Sequence, residues 1–91
     1  MEIKQGFNKF YIGESEDRPL AEITYQPQGE NTIIADHTYV SKELRGQNIG
    51  KRLVEVLTNW ARKEQKKIYP LCSFVKAEMT RNPEYADLVA D

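Results

Sequence analysis

The stretch KELRGQNIGKRL, residues 42–53, has the character of a helix entrance and decides how the rest of the chain is interpreted. Its glycines, Gly46 and Gly50, permit backbone conformations and close approaches that a side chain would block. The stretch also carries four cations: Lys42, Arg45, Lys51 and Arg52. Each cation near a helix N-terminus is unfavourable by about 0.3 to 1 kcal/mol at an exposed site, because the helix dipole is positive there. A bound anion would reverse that cost, so the stretch predicts an anion site.

Downstream of this loop the hydrophobic residues recur at helical spacing. One predicted face holds Leu53, Val54, Val56, Leu57, Trp60 and Ala61. The opposite face holds Arg52, Glu55, Asn59, Arg62 and Lys63. This segregation predicts an amphipathic helix whose apolar face is buried against another element.

Strand patterns surround that helix. Residues 3–12 are rich in aromatic and β-branched residues and predict a first strand, and residues 20–26 alternate as a half-buried antiparallel strand. Residues 32–40 predict a third strand, and residues 66–71 a short fourth one that stops at Pro70.

Two short helices are predicted to close the chain. Residues 73–81, which begin at Ser73, predict a brief helix. Asn82 followed by Pro83 is the pattern that starts a helix, and it predicts a terminal one. The predicted class is therefore α+β (α/β): a mostly antiparallel sheet of about four strands, a major amphipathic helix packed on it and two short C-terminal helices.

Length and composition limit the possible functions. At 91 residues the chain predicts one domain, residues 1–91, and its net charge of -1 argues against a nucleic-acid partner. One cysteine, Cys72, and one histidine, His37, exclude an internal disulfide and a zinc site built from thiolates and imidazoles, so no metal is expected. No apolar run approaches the roughly 20 residues needed to span a bilayer, and residues 1–14 lack the apolar region and cleavage site of a signal peptide, so neither is expected. We expect a cytoplasmic protein without membrane partners, as a monomer or weak dimer.

The segment YVSKELRGQNIGKRLVEVL, residues 39–57, resembles the acetyl-CoA signature of the GNAT acetyltransferase superfamily, whose loop pattern is Q/R-x-x-G-x-G/A. Arg45 takes the first place and Gly50 the last, whereas Asn48 stands where the family usually has glycine. Asn is the non-glycine residue that best tolerates left-handed backbone geometry. Val40 lies five residues before Arg45, at the spacing of the valine that ends the family's pantetheine-binding strand.

Four segments in order along the chain, HTYV, LRG, PLCSFV and NPEYADLV, together look like the short stand-alone GNAT-like subfamily of acetyl-CoA-binding proteins. The resemblance implies a minimal GNAT-like fold that binds acetyl-CoA (CoA). Main-chain groups of two residues would contact the pantetheine and the acetyl carbonyl: Tyr39 and Val40. The pyrophosphate would be held by the loop and the first helical turn: Arg45, Gly46, Gln47, Asn48, Ile49, Gly50 and Lys51.

Candidate catalytic residues are Cys72 and His37. Cys72 follows a strand end and precedes a predicted helix, which lowers its expected pKa, and the resemblance carries this cysteine, so it could form an acetyl-cysteine intermediate. The alternative for Cys72 is inert packing. If strand alternation holds, His37 shares a face with Ile33, Ala35 and Tyr39, and it is either a general base for an amine or for Cys72, or a packed sheet histidine.

Two functional hypotheses remain from the sequence. In the first, the protein is a minimal N-acetyltransferase that passes acetyl to an unknown amine or thiol acceptor, directly or through Cys72. In the second, it is a non-catalytic acetyl-CoA or CoA-binding module, a sensor or carrier. The second is favoured by the shortness of the chain and by Phe74, which offers no tyrosine hydroxyl where longer relatives often have an acid.

Overall fold

A computed structural model describes residues 2–90 as a five-strand sheet with its helices packed on one face. The strands are β1 (Lys4–Gly6), β2 (Lys9–Ile12), β3 (Ala21–Gln28), β4 (Thr32–Val40) and β5 (Lys67–Pro70). The helices are α1 (Ile49–Lys63) and α2 (Ser73–Arg81), with 3-10 helices at Lys42–Leu44 and Pro83–Leu88. The predicted class and the order of the main elements are confirmed.

The sheet is antiparallel from β1 to β4, and β5 joins β4 in parallel. α1 makes the crossover that a parallel pair requires. The sheet has one strand more than predicted, because residues 3–12 fold into a hairpin whose Gly6 pairs with Lys9. Asn8 closes that turn at φ 54°, a left-handed conformation that asparagine tolerates better than most residues.

One side of the sheet and the inner faces of α1 and α2 form the hydrophobic core. The helix prediction is confirmed: Leu53, Val54, Leu57 and Ala61 are buried, while Val56 and Trp60 are partly buried against the same cluster. Trp60 stacks on Tyr25 with ring centroids 4.9 Å apart and meets Phe10 edge-on at 5.9 Å. This packing fixes the axis of α1, and hence the position of its N-terminus, relative to the sheet.

A β-bulge interrupts the alternation within β4. Tyr25 of β3 pairs with Ala35, but Thr24 pairs with His37, so Asp36 is an extra residue without an opposite partner. An extra residue reverses which side chains face the core from that point onward. Sequence alternation alone does not reveal where such a bulge falls.

The predicted orientation of His37 is therefore wrong. Ile33 and Ala35 are buried in the core as expected, but His37 and Tyr39 point to the uncovered side of the sheet and are exposed. Thr38 takes the inward position instead, because it pairs with the fully buried Ile23.

β4 and β5 separate halfway along β4. Their ladder runs from Thr32 with Lys67 to Ala35 with Pro70, after which the chain leaves the sheet and enters α2. The last five residues of β4 consequently have no strand partner on that side within residues 2–90. That free edge lies next to the loop that leads into α1.

The C-terminal elements differ in detail from the prediction. The terminal helix is a 3-10 helix, and the Asn82 side chain bonds Glu78 rather than capping it. Val89 then forms one parallel bridge to Ile68. Within residues 2–90, none of the helices has the length and apolarity that a bilayer crossing would need.

Candidate functional site

An open groove of about 300 Å³ lies at the N-terminus of α1. The structure brings seven of the predicted cofactor-binding residues into its lining: Val40, Arg45, Gly46, Asn48, Ile49, Gly50 and Lys51. Two predicted residues are not part of that lining. Gln47 is exposed on the loop, where its side-chain amide donates to the Glu43 carbonyl oxygen at 3.4 Å, and the Tyr39 side chain lies on the opposite face of the sheet.

The loop backbone leaves the start of α1 open. Gly46 has φ 84°, and Asn48 has φ 59° and ψ 30°. Both residues are left-handed, so Asn48 adopts the backbone conformation that asparagine was expected to tolerate at this position. Asn48 is the N-cap of α1, but its side chain makes no capping hydrogen bond, and the first turn contains no acidic residue. The first N–H groups of α1 thus lack the side-chain acceptor that usually satisfies them.

Positive charge surrounds this helix end. The Arg45 Nε donates to the Val40 carbonyl oxygen at 3.3 Å, which ties the guanidinium to the end of β4 and leaves its terminal nitrogen atoms as donors. Lys51 lies in the first turn of α1 and also lines the groove. Open N–H groups, the helix dipole and two cations in one groove form an anion site.

The far wall of the groove comes from α2, which the sequence reasoning did not assign to the site. Phe74 and Glu78 line it, one helical turn apart. A Cβ atom at Gly50 would lie 2.8 Å from Phe74 Cζ, so Gly50 permits the aromatic ring to close against α1. The four-residue spacing of Phe74 and Glu78 places them on one face of α2 and was the available signal.

Glu78 is a buried carboxylate held by local partners. The Arg81 guanidinium donates to it at 2.7 Å, and the Asn82 amide donates at 3.2 Å. These bonds keep the negative charge of Glu78 compensated at the C-terminal end of α2.

Cys72 lies immediately before α2, partly buried against the core. Its backbone N–H donates to the Ala35 carbonyl oxygen at 2.9 Å, and its Sγ is 3.5 Å from the Thr38 hydroxyl. Burial, the largest single influence, raises the pKa of the Cys72 thiol. The Thr38 hydroxyl and the N–H groups of Val75, Phe74 and Thr38 together outweigh burial and lower that pKa below its ordinary value. The Cys72 thiol therefore loses its proton more readily than the thiol of an ordinary buried cysteine.

The structure does not bring His37 to Cys72. Cys72 contacts Thr38 on the core side of β4, whereas His37 points outward on the other side. His37 and Cys72 therefore do not meet, because the bulge at Asp36 turns His37 outward, and a role of His37 as a base for an amine stays a prediction. Thr38, which the sequence reasoning missed, is the side chain that contacts the thiol. Within residues 2–90, no three His, Cys, Asp or Glu side chains cluster as a metal site.

The helices cover one face of the sheet, and β5 separates from β4 beside the glycine-bearing loop that leads into α1. These features define an α+β domain with an anion site at the start of its main helix. A family model described as GCN5-related N-acetyl-transferase matches residues 9–88. The chain therefore belongs to the GCN5-related N-acetyltransferase (GNAT) family, which confirms the resemblance found in the sequence.

Solved structures agree with this assignment. A GCN5-like protein of Staphylococcus aureus, determined by NMR, is 47% identical, with a TM-score of 0.82 over 98% of this chain and 87% of that one. A Mycobacterium tuberculosis protein in complex with CoA and a second ligand shares the fold at 16% identity, with a TM-score of 0.54 over 89% of this chain. A ribosomal-protein-alanine N-acetyltransferase of Brucella melitensis does so at 18% identity, with a TM-score of 0.52 over 91% of this chain. This chain spans 66% and 62% of the last two, and no curated protein matches it.

Proposed function

We propose that the protein binds acetyl-CoA and transfers its acetyl group to an amine or thiol acceptor. The observation that carries this proposal is the groove at the start of α1, where left-handed residues, uncapped N–H groups and cations converge. No other groove in the described chain combines these features with the family's signature loop.

The residues present fit a CoA-type polyphosphate. The N–H groups of residues 47–51 and the Arg45 and Lys51 side chains would hold the pyrophosphate, since each contributes a donor or a positive charge. The main chain of Tyr39 and Val40 lies on the free edge of β4, where extended backbone can pair with the amides of pantetheine. When bound, acetyl-CoA supplies an acetyl thioester as the activated acyl donor.

Cys72 is proposed as an acyl acceptor within the protein. Its thiolate would attack the acetyl carbonyl, form a thioester at Sγ and release CoA as a thiol, with the proton lost by Cys72 accounting for the proton gained. Thr38 and the start of α2 support this role because they favour the thiolate. An acceptor nucleophile would then remove the acetyl group from Sγ.

The second candidate is a binding module without turnover. It is favoured by the groove wall, whose aromatic residue is Phe74, a side chain without a hydroxyl to protonate a leaving thiolate. The two candidates share the cofactor site and differ in whether the acetyl group is passed on to an acceptor molecule.

Calorimetry with acetyl-CoA tests the shared site. We expect binding that weakens as salt rises from about 50 to 300 mM, because phosphate neutralisation by exposed cations is screened. Lys51→Ala should weaken binding about two- to fivefold, the size of one partly exposed charge pair. Lys63→Ala at the other end of α1 is the matched control and should leave affinity unchanged. Absence of heat, together with no NMR shifts at residues 46–51, would reject the site.

Intact-mass spectrometry tests the role of Cys72. After incubation with acetyl-CoA we expect one acetyl adduct in the wild type and none in Cys72→Ala. The adduct should disappear when an acceptor amine is added if the protein is an enzyme. An adduct that remains after a panel of amines has been added favours the binding module. An unmodified protein would indicate that Cys72 only packs against the core.

A further inference from the structure

A second cavity, of about 250 Å³, lies at the opposite end of α1 from the groove, and we call it the basic cavity. Its lining comes from the end of α1, the turn that follows, the start of β5 and the C-terminal 3-10 helix: Arg62, Gln65, Lys66, Lys67, Asp87 and Leu88. The 15 residues of α1 separate it from the groove by roughly 20 Å, since a helix rises about 1.5 Å per residue. The two cavities share no lining residue, so a ligand in the basic cavity binds apart from the proposed acetyl-CoA site.

Positive charge exceeds negative charge in the basic cavity. Within residues 2–90 its lining holds three cations, Arg62, Lys66 and Lys67, and a single carboxylate, that of Asp87. The Arg62 guanidinium donates to Asp87 Oδ1 at 2.9 Å, and this contact lowers the pKa of the Asp87 carboxyl group below its ordinary value. Asp87 thus neutralises one cation and leaves an excess of two positive charges. The C-terminal dipole of α1 offsets about half a charge, so most of the excess remains.

Both lysines of the basic cavity are held in place by neutral acceptors. The Lys66 Nζ donates to the Glu30 carbonyl oxygen at 2.8 Å, and the Lys67 Nζ donates to the Asp87 carbonyl oxygen. In the described part of the chain, neither lysine forms an ion pair. A carbonyl oxygen fixes the position of an ammonium group without neutralising its charge, and each ammonium group has two further N–H donors for a ligand.

The backbone at the end of α1 brings these donors into one cavity. Gln65 has φ 58°, a left-handed conformation that is uncommon for residues with a Cβ, and the next N–H, that of Lys66, donates back to the Ala61 carbonyl oxygen at 2.8 Å. Arg62 reaches across to the C-terminal 3-10 helix, where its guanidinium also donates to the Glu84 carbonyl oxygen at 3.0 Å. The helix end, the turn and the start of β5 therefore each contribute a cation to the same cavity.

We propose that the basic cavity is a second anion site and that its ligand is the phosphate group of a small, soluble phosphate monoester. A phosphate monoester carries nearly two negative charges above neutral pH, which matches the excess positive charge of the cavity. Its three terminal oxygen atoms accept hydrogen bonds from Arg62, Lys66 and Lys67, and such charge-assisted bonds are stronger than neutral ones. The inference goes beyond the proposed function, because it uses no residue of the acetyl-CoA groove.

Titration of ¹⁵N-labelled protein with methyl phosphate, at about pH 7.5 and constant ionic strength, tests the site. We expect saturable shifts of the amide signals of residues 62–67 and 87–88. Acetate, a monoanion, should bind there about two- to fivefold more weakly, the effect of one partly exposed charge pair. Lys66→Gln should weaken methyl phosphate binding by a similar factor. Lys63→Gln, the same charge change on an exposed residue of α1 outside the lining, should leave it unchanged.

Asp87→Asn provides a second variant, for which the expected change is a gain of affinity. It removes the carboxylate that competes with the ligand, so methyl phosphate should bind about two- to fivefold more tightly, a result that a loss of folding cannot produce.

Three outcomes overturn the inference. Equal weakening by Lys63→Gln and Lys66→Gln would show that methyl phosphate responds only to the overall charge of the chain. Shifts that do not saturate, or weaker binding by Asp87→Asn, would show that the cavity does not hold the phosphate group. Sedimentation with phosphatidic acid vesicles that is lost in Lys66→Gln, without shifts from methyl phosphate, would identify a lipid headgroup as the ligand instead. Signals of residues 46–51 report the groove separately, so their failure to respond to acetyl-CoA rejects the proposed function alone.

Discussion

Gly50 offers the sharpest test of how the groove is built. The loop signature assigns this position to the cofactor, but in the structure a Cβ here would meet Phe74 Cζ at 2.8 Å and Cε2 at 3.0 Å. Carbon atoms pack best at about 3.5 to 4.0 Å, so Gly50→Ala requires the ring to move by roughly 0.7 Å. The glycine is thus needed for contact between α1 and α2 even without a ligand.

The expected energies follow from two opposing effects. Alanine is favoured over glycine inside a helix by about 1 kcal/mol, and by less at the second residue of α1, so about 0.5 kcal/mol is gained. Overpacking costs about 1 to 3 kcal/mol in a rigid core, and a value near the lower limit applies because Phe74 is partly exposed. Gly50→Ala should therefore destabilise the wild type by about 0.5 kcal/mol and stabilise Phe74→Ala by a similar amount.

Urea unfolding of the four proteins in this double-mutant cycle measures the coupling, which should be about 1 kcal/mol. Phe7→Ala is the matched control, because Phe7 is 80% exposed at the hairpin turn, and its effect should add to that of Gly50→Ala. A coupling below about 0.3 kcal/mol would show that Phe74 does not close against Gly50.

Two further predictions concern the backbone and the thiol. Asn48→Ala should destabilise the protein by about 1 kcal/mol in urea unfolding, the left-handed cost for a residue with a Cβ, whereas Asn48→Gly should retain both stability and acetyl-CoA affinity; a clear loss of affinity in Asn48→Gly would show a direct role for the side chain. Thr38→Val removes the hydroxyl that favours the thiolate, so the pKa of Cys72 should rise and the pH profile of its alkylation by iodoacetamide should move to higher pH. An unchanged profile would mean that the Thr38 hydroxyl does not act on Sγ.

His37 shows why the orientation of a side chain on a sheet is hard to predict. Strict alternation from Ile33 places His37 on the core side, and the one-residue bulge at Asp36 reverses that result. A bulge depends on how β3 and β4 pair across the sheet, and the Asp36 bonds to Thr24 and Gln26 are non-local contacts. No local signal in β4 contains that information.

Local chemistry by itself determined much of this protein. The helical period of residues 53–61 specified α1 and its buried face, the loop of glycine, asparagine and cations specified the anion site, and Ser73 marked the start of α2. These features are set by backbone preference, helix dipole and side-chain spacing within about one element.

The tertiary structure decided which residues meet. It brought Phe74 against Gly50, placed Thr38 rather than His37 beside Cys72, and turned Tyr39 and Tyr69 to the uncovered face. Each of these outcomes depends on strand register or on the packing of one helix against another, which are settled by contacts between distant parts of the chain. The sequence therefore located the loop at the start of α1, and only the folded structure showed which side chains meet Cys72 and Gly50.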